Sequence, residues 1–445
     1  MATGLSRDPF ADGDILASPA QLALKLLLIK LITGAARAAL SEQFRGAAER
    51  TEALFWILVL FSLLTAPAVL TFALEILSSR KLVQDRSTEM APPFTVLVPA
   101  HNESSVIAQT LASLIPQLRE NDRLLVIADN CQDDTASIAM RCGAEVTRRD
   151  EPEKRGKGYA LAHGLNHAAK WKHPVIIVVD ADCRVSKGGL ETLASQVATT
   201  GKPVQGAYTL TAAMDASRSM RFSAFALQIK NHARLLGCSR LGMPCVLTGS
   251  GMAFPREPLE RVKIGSSEIV EDLLLAIDLA LEGYPASFCA QAEITSPLPA
   301  NEQVAAGQRQ RWEQGFLSIM RRFIPRLIVG GIKKRDWRLF ALGLDIAVPP
   351  LSLLGLILFA SLSLSLIYLL AGGTIVLAAI GLAQIVIFFS AVLLGWAWHG
   401  RPILRGADLL ALPLSVLKKI AFYRRLIRAP QREWVRTARE EGTVE

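Results

Sequence analysis

The chain has 445 residues, 51% hydrophobic and 20% charged, with 49 Lys and Arg against 40 Asp and Glu for a formal net charge of +9. That length holds a large domain plus extra segments, and half the residues being apolar sets the chain apart from an ordinary soluble domain. The basic excess does not call for nucleic acid: Lys418, Lys419, Arg424, Arg425, Arg428, Arg432, Arg436 and Arg439 crowd beside the last apolar segments, where such residues set membrane orientation.

Residues 1–18 are polar and aperiodic and are expected to be disordered, with no basic n-region of a signal peptide. Residues 19–40 are apolar but interrupted by Lys25, Lys30 and Arg37. They predict an interfacial helix on the membrane, or a span if the lysines snorkel. Residues 53–77 contain a single ionisable side chain, Glu75, and are long enough to cross a bilayer. Arg80 and Lys81 follow, and that basic stop places the next domain on the cytoplasmic side.

Residues 92–300 have the mixed composition of a globular domain. Phe94–Pro99 reads as a strand ending in Ala100-His101-Asn102-Glu103, followed by a helix from about Ser104 to Ile115 with Ser104 or Ser105 as N-cap. Leu124–Ala128 is a second strand, ending in Asp129. A helix over Ala136–Cys142 leads to a short strand near Ala144–Thr147. The basic glycine loop Arg155-Gly156-Lys157-Gly158 opens a helix from Tyr159 to Trp171, and Pro174–Val179 is a buried strand running into Asp180-Ala181-Asp182. Strands alternating with helices predict a doubly wound, mostly parallel α/β sheet. Glu103, Asp129 and Asp180 then share its carboxyl edge, where open α/β sheets present their ligand crevice. Read as extended backbone, Asp180 and Asp182 point to one side. Such a pair can hold Mg²⁺ or Mn²⁺ against a substrate diphosphate.

All six cysteines (Cys131, Cys142, Cys183, Cys238, Cys245, Cys289) lie in this domain without C-x-x-C spacing. That argues against a zinc site or disulfide framework and fits reduced thiols in the cytosol. Further on, Thr248-Gly249-Ser250-Gly251 and Glu271-Asp272 precede Gln308, Arg311 and Trp312 on a helix over Gln303–Phe316. Residues 301–335 continue as an interfacial amphipathic segment interrupted by Pro325. Residues 339–398 predict two transmembrane helices joined at Gly372-Gly373, the first containing Asp345 ahead of Pro349-Pro350. Residues 403–445 close the chain with a short interfacial or re-entrant segment, 409–417, and a basic cytosolic tail.

Taken together these residues resemble the membrane-bound, processive-type family 2 glycosyltransferases, the group of cellulose, chitin and hyaluronan synthases. The resemblance covers about residues 92–320, and the flanking spans match the family's arrangement. It implies a GT-A type domain and an inverting transfer from a nucleotide-diphosphate sugar, a UDP-sugar, to a growing surface polysaccharide, with a β-linked product. It implies donor and nucleotide contacts at Pro99, Ala100, Glu103, Asp129, Lys157 and Asp180, and Mg²⁺ or Mn²⁺ on Asp182. Asp272 is implied as general base. Gln308, Arg311, Trp312, Gly249, Ser250 and Glu271 are implied at the acceptor and diphosphate side. Partners are then a nucleotide-sugar donor, a saccharide or lipid-linked acceptor and membrane lipid, with an export partner left open. The location is a multi-pass protein of the inner or plasma membrane with its catalytic domain in the cytoplasm. Single-sugar transfer to a polyprenyl phosphate or ceramide-like lipid is the alternative enzyme. A transporter or scaffold with a degenerate nucleotide-binding domain is the alternative from another class.

Overall fold

A computed structural model describes residues 47–80, 90–213, 216–265, 268–299 and 301–428. The expectations for residues 1–18, for 19–40 and for the tail beyond Arg428 lie outside the described residues.

Eight strands form one sheet: β1 (Phe94–Ala100), β2 (Arg123–Asp129), β3 (Glu145–Arg149), β4 (Val175–Val178), β5 (Arg184–Val185), β6 (Val204–Thr211), β7 (Met252–Pro255) and β8 (Ser287–Pro297). Their order is β3-β2-β1-β4-β7-β6-β8-β5. The expected parallel α/β half is there: β1 pairs in parallel with both β2 and β4, and β2 with β3. The second half is mixed, because β7 runs antiparallel to β4 and β6, β6 is parallel to β8, and β5 is antiparallel to β8. The chain winds from β1 through β2 to β3 on one side, then crosses back to place β4 on the other side of β1. A crevice opens at such a switch point, outside the carboxyl ends of the strands.

Both faces of the sheet are covered, and the strand period of two divides them. Val96, Val98 and Ile177 enter one buried cluster, while Leu97, Ile127, Ile176 and Val178 enter the other. Helix Ile107–Leu114 buries Ile107, Thr110, Leu111 and Leu114, the spacing of a single helical face. It starts later than Ser104 or Ser105 and its N-cap is Val106. Both serines lie in a turn closed by Val106 N donating to Glu103 O at 3.1 Å.

Helix Glu302–Lys334 runs unbroken for 33 residues and buries Phe316, Ile319, Phe323 and Leu327 against the second cluster. Pro325 does not interrupt it: a buried apolar stripe on both sides of the proline outweighs the single backbone hydrogen bond it removes.

Three helices are long and apolar enough to cross a membrane, Glu52–Ser78, Leu351–Leu370 and Ile375–Gly400. Gly372, at φ +89°, turns the chain between the last two. Gln384 ties two of them, with Nε2 donating to Ser62 O at 3.1 Å and Oε1 accepting from Thr65 Oγ1 at 3.1 Å. The expected start of the second span at residue 339 is corrected. Trp337–Ile346 is a separate helix, ended ahead of Pro349-Pro350, and the apolar span begins at Leu351. Asp345 is therefore outside the three candidate spans among the described residues.

Asp345 belongs instead to a buried ion network. Arg234 Nε donates to Glu75 Oε2 at 2.5 Å, and Arg234 Nη2 to Asp345 Oδ1 at 2.5 Å and Asp345 O at 2.9 Å. Glu75 is on the first span, Arg234 opens helix Arg234–Arg240 of the sheet domain, and Asp345 comes from Trp337–Ile346. One turn on, Gly237 packs onto the first span's backbone. A Cβ there would meet the carbonyl oxygen of Glu75 and lie 2.6 Å from its carbonyl carbon. Gly237→Ala is expected to cost about 1–3 kcal/mol as backbone is forced apart. Gly330→Ala, where a Cβ meets nothing within 4 Å, serves as control. Thermal unfolding in detergent checks this: a clearly lower Tm for the first variant and little change for the second.

Candidate active site

The switch-point crevice is a cleft of about 330 Å³. The ends of β1 and β2 supply Pro99, Ala100, Glu103 and Asp129 to it. The start of helix Lys157–Ala168 supplies Lys157, and the turn after β4 supplies Asp180 and Asp182. Gly249, Glu271, Asp272, Gln308 and Trp312 enclose it from the mixed half of the sheet and the long helix. Twelve of the fourteen residues singled out from the sequence thus line one cavity. Ser250 lies behind it, fully buried, with Oγ accepting from Asp180 N at 3.0 Å. Arg311 is half-buried on the same helix but is not among the lining residues.

Asp180 and Asp182 do not alternate along extended backbone. β4 ends at Val178, and Asp180–Cys183 is a tight turn closed by Cys183 N donating to Asp180 O at 3.0 Å. The turn brings ligand atoms of Asp180, Asp182 and Cys183 within 4.8 Å of one another. Burial, with the adjacent carboxylates, holds the Cys183 thiol well above its usual pKa, so it stays protonated. Its Sγ donates to Asp182 Oδ1 at 3.5 Å. The donor set that remains is two carboxylates, which suits a hard divalent cation with open positions.

Lys157 binds this acidic group to the loop opposite. Its Nζ pairs with Asp180 and donates to Gly249 O at 2.6 Å. Gly249, at φ +99°, lets the backbone pass between the charged groups. A Cβ there would stand 3.5 Å from Asp272 Oδ2 and 3.9 Å from both Asp180 Oδ2 and Lys157 Nζ. Fully buried Gln205 of β6 fixes this loop, accepting from Thr248 N at 2.8 Å and donating to Ser250 O at 2.9 Å. Lone glutamine in a strand-like run offers no sequence signal, and it was not anticipated.

At the far end of the cleft, Asp129 pairs with buried Arg149, whose guanidinium lies over the Tyr159 ring with 5.6 Å to the centroid. Burial raises the Asp129 pKa despite this cation. His101 holds the adjoining strand ends together through Nδ1 and Asp129 O at 2.6 Å. Trp312 has two roles in the packing, since one part touches the first hydrophobic cluster and another faces the cleft.

Comparison with known proteins fits this geometry. The model of the family described as Glycosyltransferase like family 2 matches residues 92–315. The chain belongs to that family. It is 24% identical over 259 residues to poly-β-1,6-N-acetyl-D-glucosamine synthase of Staphylococcus aureus, covering 56% of this chain and 61% of that one. It is 32% identical over 103 residues to an uncharacterized glycosyltransferase of Mycobacterium bovis, covering 23% of this chain and 43% of that one. The chain thus spans about three-fifths or less of these curated relatives. A mannosyltransferase from Pyrobaculum calidifontis, solved with GDP-Man and Mn²⁺, has a similar fold, with a TM-score of 0.50 at 18% identity over 77% of this chain and 98% of that one.

Glu271 and Asp272 start helix Glu271–Leu281 side by side. Burial first, then the neighbouring Asp272 charge, raises the Glu271 pKa. Burial likewise raises that of Asp272, against the pull of Lys157 and Lys230. A carboxyl with a raised folded-state pKa stabilises the fold fully below the unfolded value, and this is lost as pH climbs through the folded pKa. For Glu271 the loss begins near its ordinary 4.5. Denaturant titrations from pH 4.5 upward are expected to show stability falling with pH in the parent and falling less steeply in Glu271→Gln.

Proposed function

We propose that the protein is an inverting, metal-dependent glycosyltransferase at a membrane, moving a sugar from a UDP-sugar onto a growing surface polysaccharide. The observation that carries this reading is the convergence of Asp180, Lys157 and Asp272 around Gly249, on an acidic turn beside three helices able to cross a membrane. The named S. aureus relative, a polysaccharide synthase, supports the polymer product.

In this mechanism Asp129 and the strand ends at Pro99, Ala100 and Glu103 seat the nucleotide, and Asp180 with Lys157 orients the diphosphate. Asp182 and Asp180 would hold Mg²⁺ or Mn²⁺, which when bound would supply positive charge against the diphosphate. An acceptor hydroxyl attacks C1 of the donor sugar as the C1–O bond to the β-phosphate breaks, and that electron pair leaves with the diphosphate. Asp272 takes the hydroxyl proton, the work of a positioned general base. Attack opposite the leaving group inverts C1, so an α-linked donor gives a β-glycoside. Trp312 offers a flat face to the acceptor ring and Gln308, one turn before it, a hydrogen-bonding side chain. Ser250 acts through the backbone of Asp180, and Glu271 through its neighbour.

Purified protein given UDP- and GDP-sugars with Mg²⁺ or Mn²⁺ is expected to turn over a UDP-sugar and yield a product of many units. Asp272→Asn is expected to lower the rate by roughly 10²–10⁴-fold, with UDP affinity within a few-fold of the parent. Normal turnover in Asp272→Asn alongside a dead Glu271→Gln gives the base to Glu271 instead.

The basic residues flanking the spans argue for a cytoplasmic catalytic domain. Cys183, Cys238, Cys245 and Cys289 are buried and cannot report sidedness, whereas Cys131 and Cys142 are partly exposed. An impermeant maleimide applied to intact cells is expected to miss Cys131 and Cys142 and to label them after permeabilisation. Labelling without permeabilisation reverses the orientation.

A further inference from the structure

Between helices Arg218–Gln228 and Arg234–Arg240 the chain makes one π-helical turn, Ile229–Ala233. Such wide turns recur at functional sites because they re-aim side chains that a regular helix would direct elsewhere. Here the turn delivers two consecutive residues, Lys230 and Asn231, to the wall of the cleft. No motif marks them in the sequence.

Their polar atoms are poorly matched by protein. Lys230 Nζ lies over the Phe316 ring, 5.4 Å from its centroid, and among the described residues it forms no hydrogen bond and no ion pair within 4.0 Å. Asn231 is 4% exposed and its Oδ1 has no partner. Lys157, in the same cleft, pairs with Asp180 and Gly249, and Arg234, four residues on, is saturated by two carboxylates. Lys230 is half-buried with its ammonium open to the cleft, so a ligand that brings an anion there gains a charge-assisted contact that no protein group among the described residues already occupies. Burial lowers the Lys230 pKa, and Asp272 is the foremost charge opposing that.

Place decides which ligand. Phe316 is one turn beyond Trp312 on helix Glu302–Lys334, so Lys230 stands against the wall of the cleft that carries Trp312, the acceptor side in the reading above. We propose that Lys230 and Asn231 form a subsite for a negatively charged group, a phosphate or a carboxylate, carried by the acceptor near its reacting oxygen. This rests on the glycosyltransferase reading of the cleft and adds the charge class of the acceptor. A lipid-borne phosphate and a uronic acid unit both supply that chemistry.

The test is direct binding to the full-length protein in detergent, using matched probes: farnesyl phosphate against farnesol, and a glucuronyl-capped against a glucosyl-capped β-linked tetrasaccharide. Each is titrated with and without saturating UDP. The charged member of one pair is expected to bind at least tenfold more tightly than its neutral twin. The preference should persist with UDP bound, fall to within about twofold in Lys230→Met and survive in Lys230→Arg. Affinity for the neutral twin, unchanged, reports that the variant is folded, with Lys230→Gln as a second charge-removing variant. Which pair shows the preference assigns the charge to lipid or saccharide. The subsite is overturned if neither pair shows a preference, if it persists without the lysine charge, or if UDP abolishes it, since the anion then sits at the diphosphate position. Loss of UDP binding with the probe preference intact counts against the nucleotide-sugar reading and leaves the subsite standing.

Discussion

A guanidinium buried between two carboxylates joins the parts of this protein. Arg234 is 7% exposed, Glu75 0% and Asp345 3%, and each belongs to a different element. Removing Arg234 leaves two carboxyl groups facing each other where solvation is poor, and breaking a buried pair in this way typically costs about 3–5 kcal/mol. Helix Glu52–Ser78, the sheet domain and helix Trp337–Ile346 are therefore fixed to one another through this one guanidinium. Gly237 adds to this by letting the span's backbone lie directly on the domain.

The cleft depends on that frame. Arg234 is the residue after the π turn that carries Lys230 and Asn231, so the wall of the cleft is continuous with the contact to the apolar helix Glu52–Ser78. Across the cleft the charges are arranged by backbone: a tight turn for Asp180 and Asp182, a positive-φ glycine at Gly249, a helix start for Glu271 and Asp272. These are short-range devices on a sheet buried on both faces, which gives them little freedom to drift.

Much of this was legible in the sequence because it is local. The apolar runs before Glu103, Asp129 and Asp180 place those acids at strand ends, and parallel winding brings the ends together. Twelve of fourteen expected residues meeting in one cleft follows from that rule and from motif order. What failed was geometry set by non-local contacts. Periodicity cannot see that Val178 is the last paired residue of β4, so the Asp180 turn was read as strand. Nor does an apolar run from 339 to 398 reveal that Pro349-Pro350 divides a domain-packed helix from a span. The second half of the sheet, with strands as short as Arg184–Val185 and antiparallel pairings between distant segments, carries little periodic signal. Lys230 and Gln205 meet partners far along the chain, Phe316 for the first and Thr248 and Ser250 for the second.

The amphipathic helix Leu412–Arg428 has a consequence for the long helix it meets. Lys419 Nζ donates to Glu313 Oε1 at 2.6 Å and Tyr423 Oη donates to Glu313 Oε2 at 2.8 Å. Glu313 is the residue after Trp312. A helix of 33 residues is roughly 50 Å long at 1.5 Å per residue, and a rod of that length held only by an apolar stripe can roll about its axis. Gripping one carboxylate at both oxygens sets its rotational phase. Gln308, Trp312 and Phe316 then face the cleft at the same angle at which Ile319, Phe323 and Leu327 face the core, so the segment after the last span acts as an indexing pin for the wall on which the acceptor would rest.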